Sequence, residues 1–168
     1  MNNLHKYLTE EEFNAIKEER NLYVKALNLV SILFKDKLDK EGEPYLLHLK
    51  RVSVSVVEPN TRVAALLHDT VEDIEYITYE DLLDIGFTAP IVDIVKIVTT
   101  EDKEKPYHDK ITSILESNNY EAIKLKYADM SDNTSPNRIS KLDKETQDRL
   151  HKKYDEELNR LKEYLERS

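Results

Sequence analysis

Apolar residues recur every three or four positions along most of this chain, which is the spacing of one face of an α-helix. Thr9-Glu10-Glu11-Glu12 is a capping-box pattern, and the apolar positions after it predict one long amphipathic helix, or two joined ones, reaching Phe34. A last helix, about 143–167, carries four leucines and Tyr154 on one face. We interpret this stripe as packing on the core rather than as a partner surface.

Glycine and proline break up the middle of the chain. The stretch from Val52 to Val56 alternates with serine as a strand would, but no second strand pattern exists to pair with it, so we predict helix there too. Asn60 is the expected N-cap of the helix that follows. The breaks predict helices over about 45–57, 61–73, 78–86, 90–98, 106–118 and 121–129, and a polar loop over 131–138. These elements add up to an all-α fold of about seven to eight helices in one domain, 1–168.

A chain of 168 residues that is 39% hydrophobic and 35% charged is typical of a soluble globular domain. The net charge of −9 argues against nucleic acid as the main partner, although a local pocket can still be positive and take a small anion. Cysteine is absent, which excludes disulfides and thiolate metal sites. The N-terminus lacks the apolar stretch of a signal peptide, and no apolar run is long enough to span a bilayer. We therefore expect a cytoplasmic protein without a membrane partner, and the oligomeric state stays open.

The densest group of reactive side chains follows an apolar half-helix and reads His68-Asp69-Thr70-Val71-Glu72-Asp73. Asp69, Glu72 and Asp73 stand at positions i, i+3 and i+4, where they share a helical face and repel each other. They also lie at a helix C-terminus, where the helix dipole favours cations. A bound cation would relieve both penalties. A solvated acidic helix end is the alternative interpretation of this segment alone.

Two other residues complete the pattern. His48 stands in an otherwise apolar helical stretch, and Asp129 stands at the end of an apolar helix. Alone, His48 would be interpreted as a core histidine and Asp129 as a helix cap. With His68-Asp69 they form the ordered set His…His-Asp…Asp.

Three separated motifs, Gly42–His48, Ala65–Asp73 and Lys126–Asn133, resemble those of the HD superfamily of metal-dependent phosphohydrolases. Within it they are most similar to the RelA/SpoT-type alarmone hydrolase domain, and the likeness spans about 22–138. The resemblance implies an all-helical HD-domain fold. It also implies a guanosine polyphosphate pyrophosphohydrolase of the stringent response, which removes the 3′-pyrophosphate of (p)ppGpp with manganese.

The resemblance carries over to individual residues. His48, His68, Asp69 and Asp129 match the metal ligands of the family. Two imidazoles and two carboxylates suit one divalent ion, Mn²⁺ by the resemblance, with Fe²⁺ or Zn²⁺ as alternatives. Such an ion would activate a water molecule and polarise the phosphoryl group.

Glu72 and Asp73 match the catalytic Glu-Asp pair of the family. One would position or deprotonate the water and the other would protonate the leaving oxygen, and the sequence does not assign the two roles. A small phosphorylated nucleotide is the expected partner. The candidates for contacts with it are Lys40, Tyr107, Lys126, Asn133 and Arg138.

Two departures from the family pattern bear on the substrate. Asp39 stands where the alarmone hydrolases carry an arginine that recognises the guanine base, so a stacking group is replaced by a negative charge. The downstream motif reads Ala-Asp-Met-Ser-Asp-Asn, a version that resembles small stand-alone HD proteins. Three hypotheses stay open: (p)ppGpp hydrolysis, hydrolysis of a different nucleotide, and a non-catalytic domain that senses a nucleotide or binds a partner.

Overall fold

The computed structural model describes residues 1–168 and contains helices but no strand, as the sequence predicts. A 3₁₀ turn at Asn3–Lys6 precedes eleven α-helices, none of which is both long and apolar enough to cross a membrane. The helices are α1 Glu10–Glu18, α2 Leu22–Leu33, α3 Tyr45–Val54, α4 Pro59–Leu67, α5 Thr70–Asp73, α6 Tyr79–Asp84, α7 Ala89–Val98, α8 Tyr107–Glu116, α9 Tyr120–Asn133, α10 Pro136–Ile139 and α11 Lys144–Arg167. Setting aside the single turns α5 and α10, nine helices remain, close to the expected number.

The N-terminal region forms two helices rather than one. Thr9 caps α1 in the predicted capping box: its hydroxyl accepts from the backbone N–H of Glu12 at 3.0 Å, and the Glu12 carboxylate accepts from the N–H of Thr9 at 2.9 Å. The chain then leaves the helical conformation at Glu19, and the Asn21 side chain caps α2. The short break lets both helices turn their apolar faces to the same core.

Two predicted boundaries were wrong. The N-cap of α4 is Glu58, with Pro59 in the first turn, so Asn60 lies inside the helix and is not its cap. The predicted polar loop over 131–138 is mostly helical, because α9 continues to Asn133 and α10 fills Pro136–Ile139. In that stretch an ion pair between Arg138 and Asp132, 2.8 Å long, joins α10 to α9, and a local propensity argument does not include it.

The core surrounds α4, which packs against α2, α3, α7 and α9. Its apolar run Val63–Leu67 is buried on every side, as expected for a helix at the centre of a domain. A second, smaller core joins α8, α9 and α11 around Ile111, Ile123 and Leu161. The stripe on α11 therefore packs inward, as predicted, and this places α11 beside α9.

Two features of the structure favour glycine at position 86: a positive φ and a buried lysine close to the position of a Cβ. The φ of Gly86 is +117°, and a Cβ there would lie 2.7 Å from Nζ of Lys25. Lys25 is 2% exposed and its Nζ donates to the carbonyls of Lys17 at 2.8 Å and Ile85 at 2.7 Å, so a shift away from a Cβ would cost these hydrogen bonds.

We expect Gly86→Ala to lower the free energy of unfolding by about 3 kcal/mol, from backbone strain plus the clash with Lys25. Gly42→Ala is the matched control, because Gly42 has φ +82° but nothing within 4 Å of its Cβ position. Its loss should be limited to about 1 kcal/mol of backbone strain. Urea denaturation of the two variants measures both values, and equal losses would contradict the role given to Lys25.

Candidate metal centre

His68 and Asp69 lie in a short break between α4 and α5. The predicted helix over 61–73 is interrupted, since α4 ends at Leu67 and α5 begins at Thr70. His68 and Asp69 occupy the break, at 5% and 7% exposure. The Nδ1 of His68 donates to the carbonyl of Ala65 at 2.5 Å, which turns Nε2 away from the helix. The two side chains therefore point away from the α4 backbone and into the same space.

The four predicted metal ligands meet at this point. The Oδ1 of Asp129, on α9, lies 2.8 Å from Nε2 of His48, on α3, and 3.1 Å from Nε2 of His68. The Oδ2 of Asp69 lies 3.2 Å from the same nitrogen of His68. One ligand atom from each of His48, His68 and Asp69 falls within 4.8 Å of the others. The fold thus joins α3, the α4–α5 break and α9 at one buried point.

Electrostatics favour a cation among these groups. Burial alone would lower the pKa of His68, but the carboxylates of Asp69 and Asp129 outweigh it and raise that pKa to about 10. Burial likewise opposes a charge on His48, yet its hydrogen bonds to Asp129 and Asp132 raise its pKa. The pKa of Asp129 is held well below its usual range, since the positive charges of His68 and Lys126 outweigh its burial. Two carboxylates and two imidazoles this close fit a divalent ion with mixed nitrogen and oxygen ligands, so the buried group could hold one.

The predicted catalytic pair divides into two environments. Oε1 of Glu72 accepts from the backbone N–H of Thr100 at 3.1 Å, and burial together with the charge of Asp69 raises the pKa of Glu72. Asp73 instead accepts from Nζ of Lys37 at 2.9 Å. Both carboxylates line the cavity in front of the metal ligands. The raised pKa of Glu72 suits acid–base work.

A cavity of about 410 Å³, the metal-facing cavity, opens in front of the four predicted metal ligands. It is lined by Tyr107, Lys126 and Asn133, three of the five predicted substrate contacts. Lys126 is nearest to the centre, 3.5 Å from Oδ2 of Asp129, and that carboxylate outweighs burial to raise the pKa of the lysine. This lysine therefore stays positively charged beside the candidate metal position.

The other two predicted contacts, Lys40 and Arg138, line a neighbouring cavity of about 330 Å³ rather than the metal-facing one. The two cavities share three lining residues, Tyr45, Asn133 and Tyr154. The predicted substrate residues thus lie in two adjoining spaces, one beside the metal ligands and one beside the turn 39–44.

Arg138 and Asp39 are engaged with each other. The Arg138 guanidinium donates to Asp39 at 3.3 Å, to Glu41 at 3.1 Å and to Asp132 at 2.8 Å. Oδ1 of Asp39 also accepts from the backbone N–H groups of Glu41 at 3.0 Å and Glu43 at 2.9 Å. The carboxylate of Asp39 therefore stabilises its own turn, and an arginine at this position would lose these two hydrogen bonds.

Sequence reasoning missed several residues of the site. The hydroxyl of Tyr45 donates to Oδ2 of Asp69 at 2.5 Å, and Asp132 lies 2.6 Å from Nδ1 of His48. Tyr45 belongs to the motif Gly42–His48 and Asp132 lies one turn after Asp129, so the sequence pattern could have indicated both residues. The lysines that line the metal-facing cavity had none, because they are scattered along the chain: Lys103, Lys110 and Lys153.

No known protein-family profile matches the sequence, and no curated protein matches it either. Among solved structures, it is similar to a metazoan orthologue of SpoT that hydrolyses ppGpp and plays a role in starvation responses. The TM-score is 0.67 at 22% sequence identity, and the alignment covers 89% of this chain and 94% of that one. The chain therefore has the all-helical HD-domain fold that its motifs predict.

Proposed function

We propose that this protein is a metal-dependent phosphohydrolase that removes the 3′-pyrophosphate of a (p)ppGpp-like nucleotide. The observation that carries the proposal is the buried cluster of His48, His68, Asp69 and Asp129 at the base of a lysine-lined cavity. The ppGpp-hydrolysing structural neighbour supports the same reaction. A polarising cation and positive charge near the substrate oxygens both accelerate hydrolysis of a phosphate bond.

His48, His68, Asp69 and Asp129 are the residues that would hold the metal, with Mn²⁺ the leading choice. Bound there, a divalent ion supplies Lewis acidity and lowers the pKa of a coordinated water molecule. Glu72 would be the group that accepts a proton from the attacking water, since it lines the cavity and the Thr100 N–H holds one of its oxygens in place. Asp73, paired with Lys37, is the second candidate for proton transfer.

The metal-facing cavity combines the four carboxylates of Asp69, Glu72, Asp73 and Asp129 with a group of lysines, on a protein whose net charge is −9. Four lysines line it: Lys103, Lys110, Lys126 and Lys153. Lys153, on α11, stacks over Tyr107 with its Nζ 4.7 Å from the ring centroid. Burial lowers its pKa, and neighbouring positive charges, including Lys40 and Lys110, lower it further. A substrate with several phosphate charges would relieve this crowding of cations.

The neighbouring cavity fits a nucleobase. Tyr45, Leu142, Leu150 and Tyr154 give it aromatic and aliphatic walls, and Asn133 stands where it joins the metal-facing cavity. A flat base stacks well on such walls, and an amide at the junction can donate and accept hydrogen bonds. The two cavities together suit a nucleotide with its phosphates toward the metal.

We expect Lys153→Gln to raise the KM for the nucleotide about tenfold while kcat changes less than twofold, because a charged hydrogen bond contributes about 1.5 kcal/mol or more to binding. Lys152→Gln is the matched control: it removes the same charge from the next residue of α11, which is exposed and lines neither cavity. Steady-state kinetics of both variants test the assignment. Equal KM values for the two variants would remove Lys153 from the substrate site.

A nucleotide panel tests the function. Mn²⁺-loaded protein is incubated with ppGpp, GDP, GTP, 3′-AMP and 5′-AMP, and pyrophosphate and orthophosphate are measured separately. Pyrophosphate released from ppGpp, but not from GTP, is the expected result. Orthophosphate released from a different nucleotide would support a phosphohydrolase with another substrate. This second candidate function is favoured by Asp39, whose carboxylate is bonded within its own turn and to Arg138. No turnover of any nucleotide by metal-loaded protein would overturn both and favour a sensing domain.

A further inference from the structure

Both ring nitrogens of His48 face carboxylates of the same helix. Nε2 lies 2.8 Å from Oδ1 of Asp129, on the side where the metal ligands meet. Nδ1, on the opposite side, lies 2.6 Å from Oδ2 of Asp132. Asp132 follows Asp129 by three residues on α9, so the two carboxylates lie on one face of that helix. The imidazole is 1% exposed, so water is not available to replace either partner.

Asp132 is itself held from two directions. Arg51, one turn after His48 on α3, donates from Nε to Oδ1 at 2.8 Å and from a terminal nitrogen to Oδ2 at 3.2 Å. Arg138 donates to Oδ2 at 2.8 Å. Paired guanidinium contacts of this kind fix the position of a carboxylate as well as its charge. The oxygen that meets Nδ1 of His48 therefore has one defined location.

We propose that Asp132 is a positioning residue for the metal centre: by holding the Nδ1–H of His48, it aims Nε2 of that ring at the metal. Histidines that bind metals generally donate their other N–H to a carboxylate or carbonyl, which fixes the tautomer and the ring plane. His68 already has such a partner in the carbonyl of Ala65. The inference rests on the metal site of the proposed function and adds a residue outside the four ligands.

The dissociation constant for Mn²⁺ tests the inference without any nucleotide. It is measured on the full chain by isothermal titration calorimetry. Asp132→Asn keeps the size of the side chain and removes its charge, and we expect it to weaken Mn²⁺ binding about 10-fold to 100-fold. Arg51→Leu removes one of the two anchors of Asp132. Its side chain is 42% exposed, so the variant should fold, and we expect binding about threefold weaker.

Glu157 provides a matched control elsewhere in the fold. It is 4% exposed, lies 2.7 Å from Nδ1 of His108 and accepts from Arg160 at 2.6 Å, so it forms the same kind of histidine–carboxylate–arginine cluster. It lines neither cavity. We expect both Glu157→Gln and Asp132→Asn to lower the melting temperature of the metal-free protein. Only Asp132→Asn should also weaken Mn²⁺ binding.

The outcomes separate the two proposals. Wild-type affinity in both Asp132→Asn and Arg51→Leu would overturn the positioning role, and so would an equal loss of affinity in Glu157→Gln. If Asp132→Asn does not fold, Arg51→Leu decides. Wild-type protein that binds no Mn²⁺ would overturn the metal site of the proposed function itself. Mn²⁺ binding with the expected variant pattern, but without nucleotide turnover, would contradict the proposed function and leave the role of Asp132 standing.

Discussion

Replacing His68 with alanine is expected to remove the metal and the hydrolase activity together. The imidazole is 5% exposed and its Nε2 lies within 3.2 Å of carboxylate oxygens from both Asp69 and Asp129, so no neighbouring side chain can take its place. A catalytic metal contributes several kcal/mol to transition-state stabilisation. Because each 1.4 kcal/mol is a factor of ten in rate, kcat should fall by about a thousandfold or more.

The control for this variant is His151→Ala. His151 is an exposed histidine on α11 whose Nδ1 lies 3.3 Å from Oδ1 of Asp155. It should retain wild-type metal content and turnover. Metal content by elemental analysis and initial rates of nucleotide hydrolysis are compared for the three proteins. A His68→Ala protein that is folded, binds one equivalent of Mn²⁺ and turns over at the wild-type rate would contradict the metal site.

Glu72→Gln is expected to separate metal binding from catalysis. The amide keeps an oxygen for the N–H of Thr100, at 3.1 Å in the wild-type protein, but cannot accept a proton from water. General acid–base groups contribute about 10²-fold to 10⁴-fold to rate, so kcat should fall within that range while the Mn²⁺ affinity stays near that of the wild type. Initial rates with saturating nucleotide and Mn²⁺ give the first value, and calorimetry gives the second.

Glu75→Gln controls for the loss of one negative charge in the same segment, because Glu75 is exposed and lines neither cavity. It should be as active as the wild type. Asp73→Asn, compared with Glu72→Gln, assigns the roles within the pair: the variant whose kcat no longer falls at low pH marks the group that takes the proton from water. Unchanged turnover in Glu72→Gln would remove Glu72 from the mechanism.

Much of the fold could be predicted from local patterns. The capping box at Thr9, the leucine stripe of α11 and the apolar run before His68 each record a rule of helix formation that operates within a few residues. The break after Leu67 could not be predicted in the same way. It depends on the bond from His68 to the carbonyl of Ala65 and on partners from α3 and α9, which are distant in sequence.

In the candidate site, too, some residues could be predicted from sequence and others depend on tertiary packing. His48, His68, Asp69 and Asp129 could be picked out because their order and spacing match known motifs, and the fold brings these four together. The lysines of the cavity could not, because surface lysines are common and these are gathered by the packing of α8, α9 and α11 together with the loop before α8. Two of the three carboxylates that pair with Arg138, those of Asp39 and Glu41, are also nearly a hundred positions away in the sequence.

Activity measured against metal loading tests the central claim most directly. Metal-free protein, prepared with a chelator, is titrated with Mn²⁺ while pyrophosphate release from ppGpp is followed. The proposed function predicts no turnover at zero metal, a linear rise, and a plateau at about one ion per chain, reversed by returning the chelator. Pyrophosphate release at the same rate from metal-free and metal-loaded protein would contradict a hydrolase that depends on the His–Asp cluster.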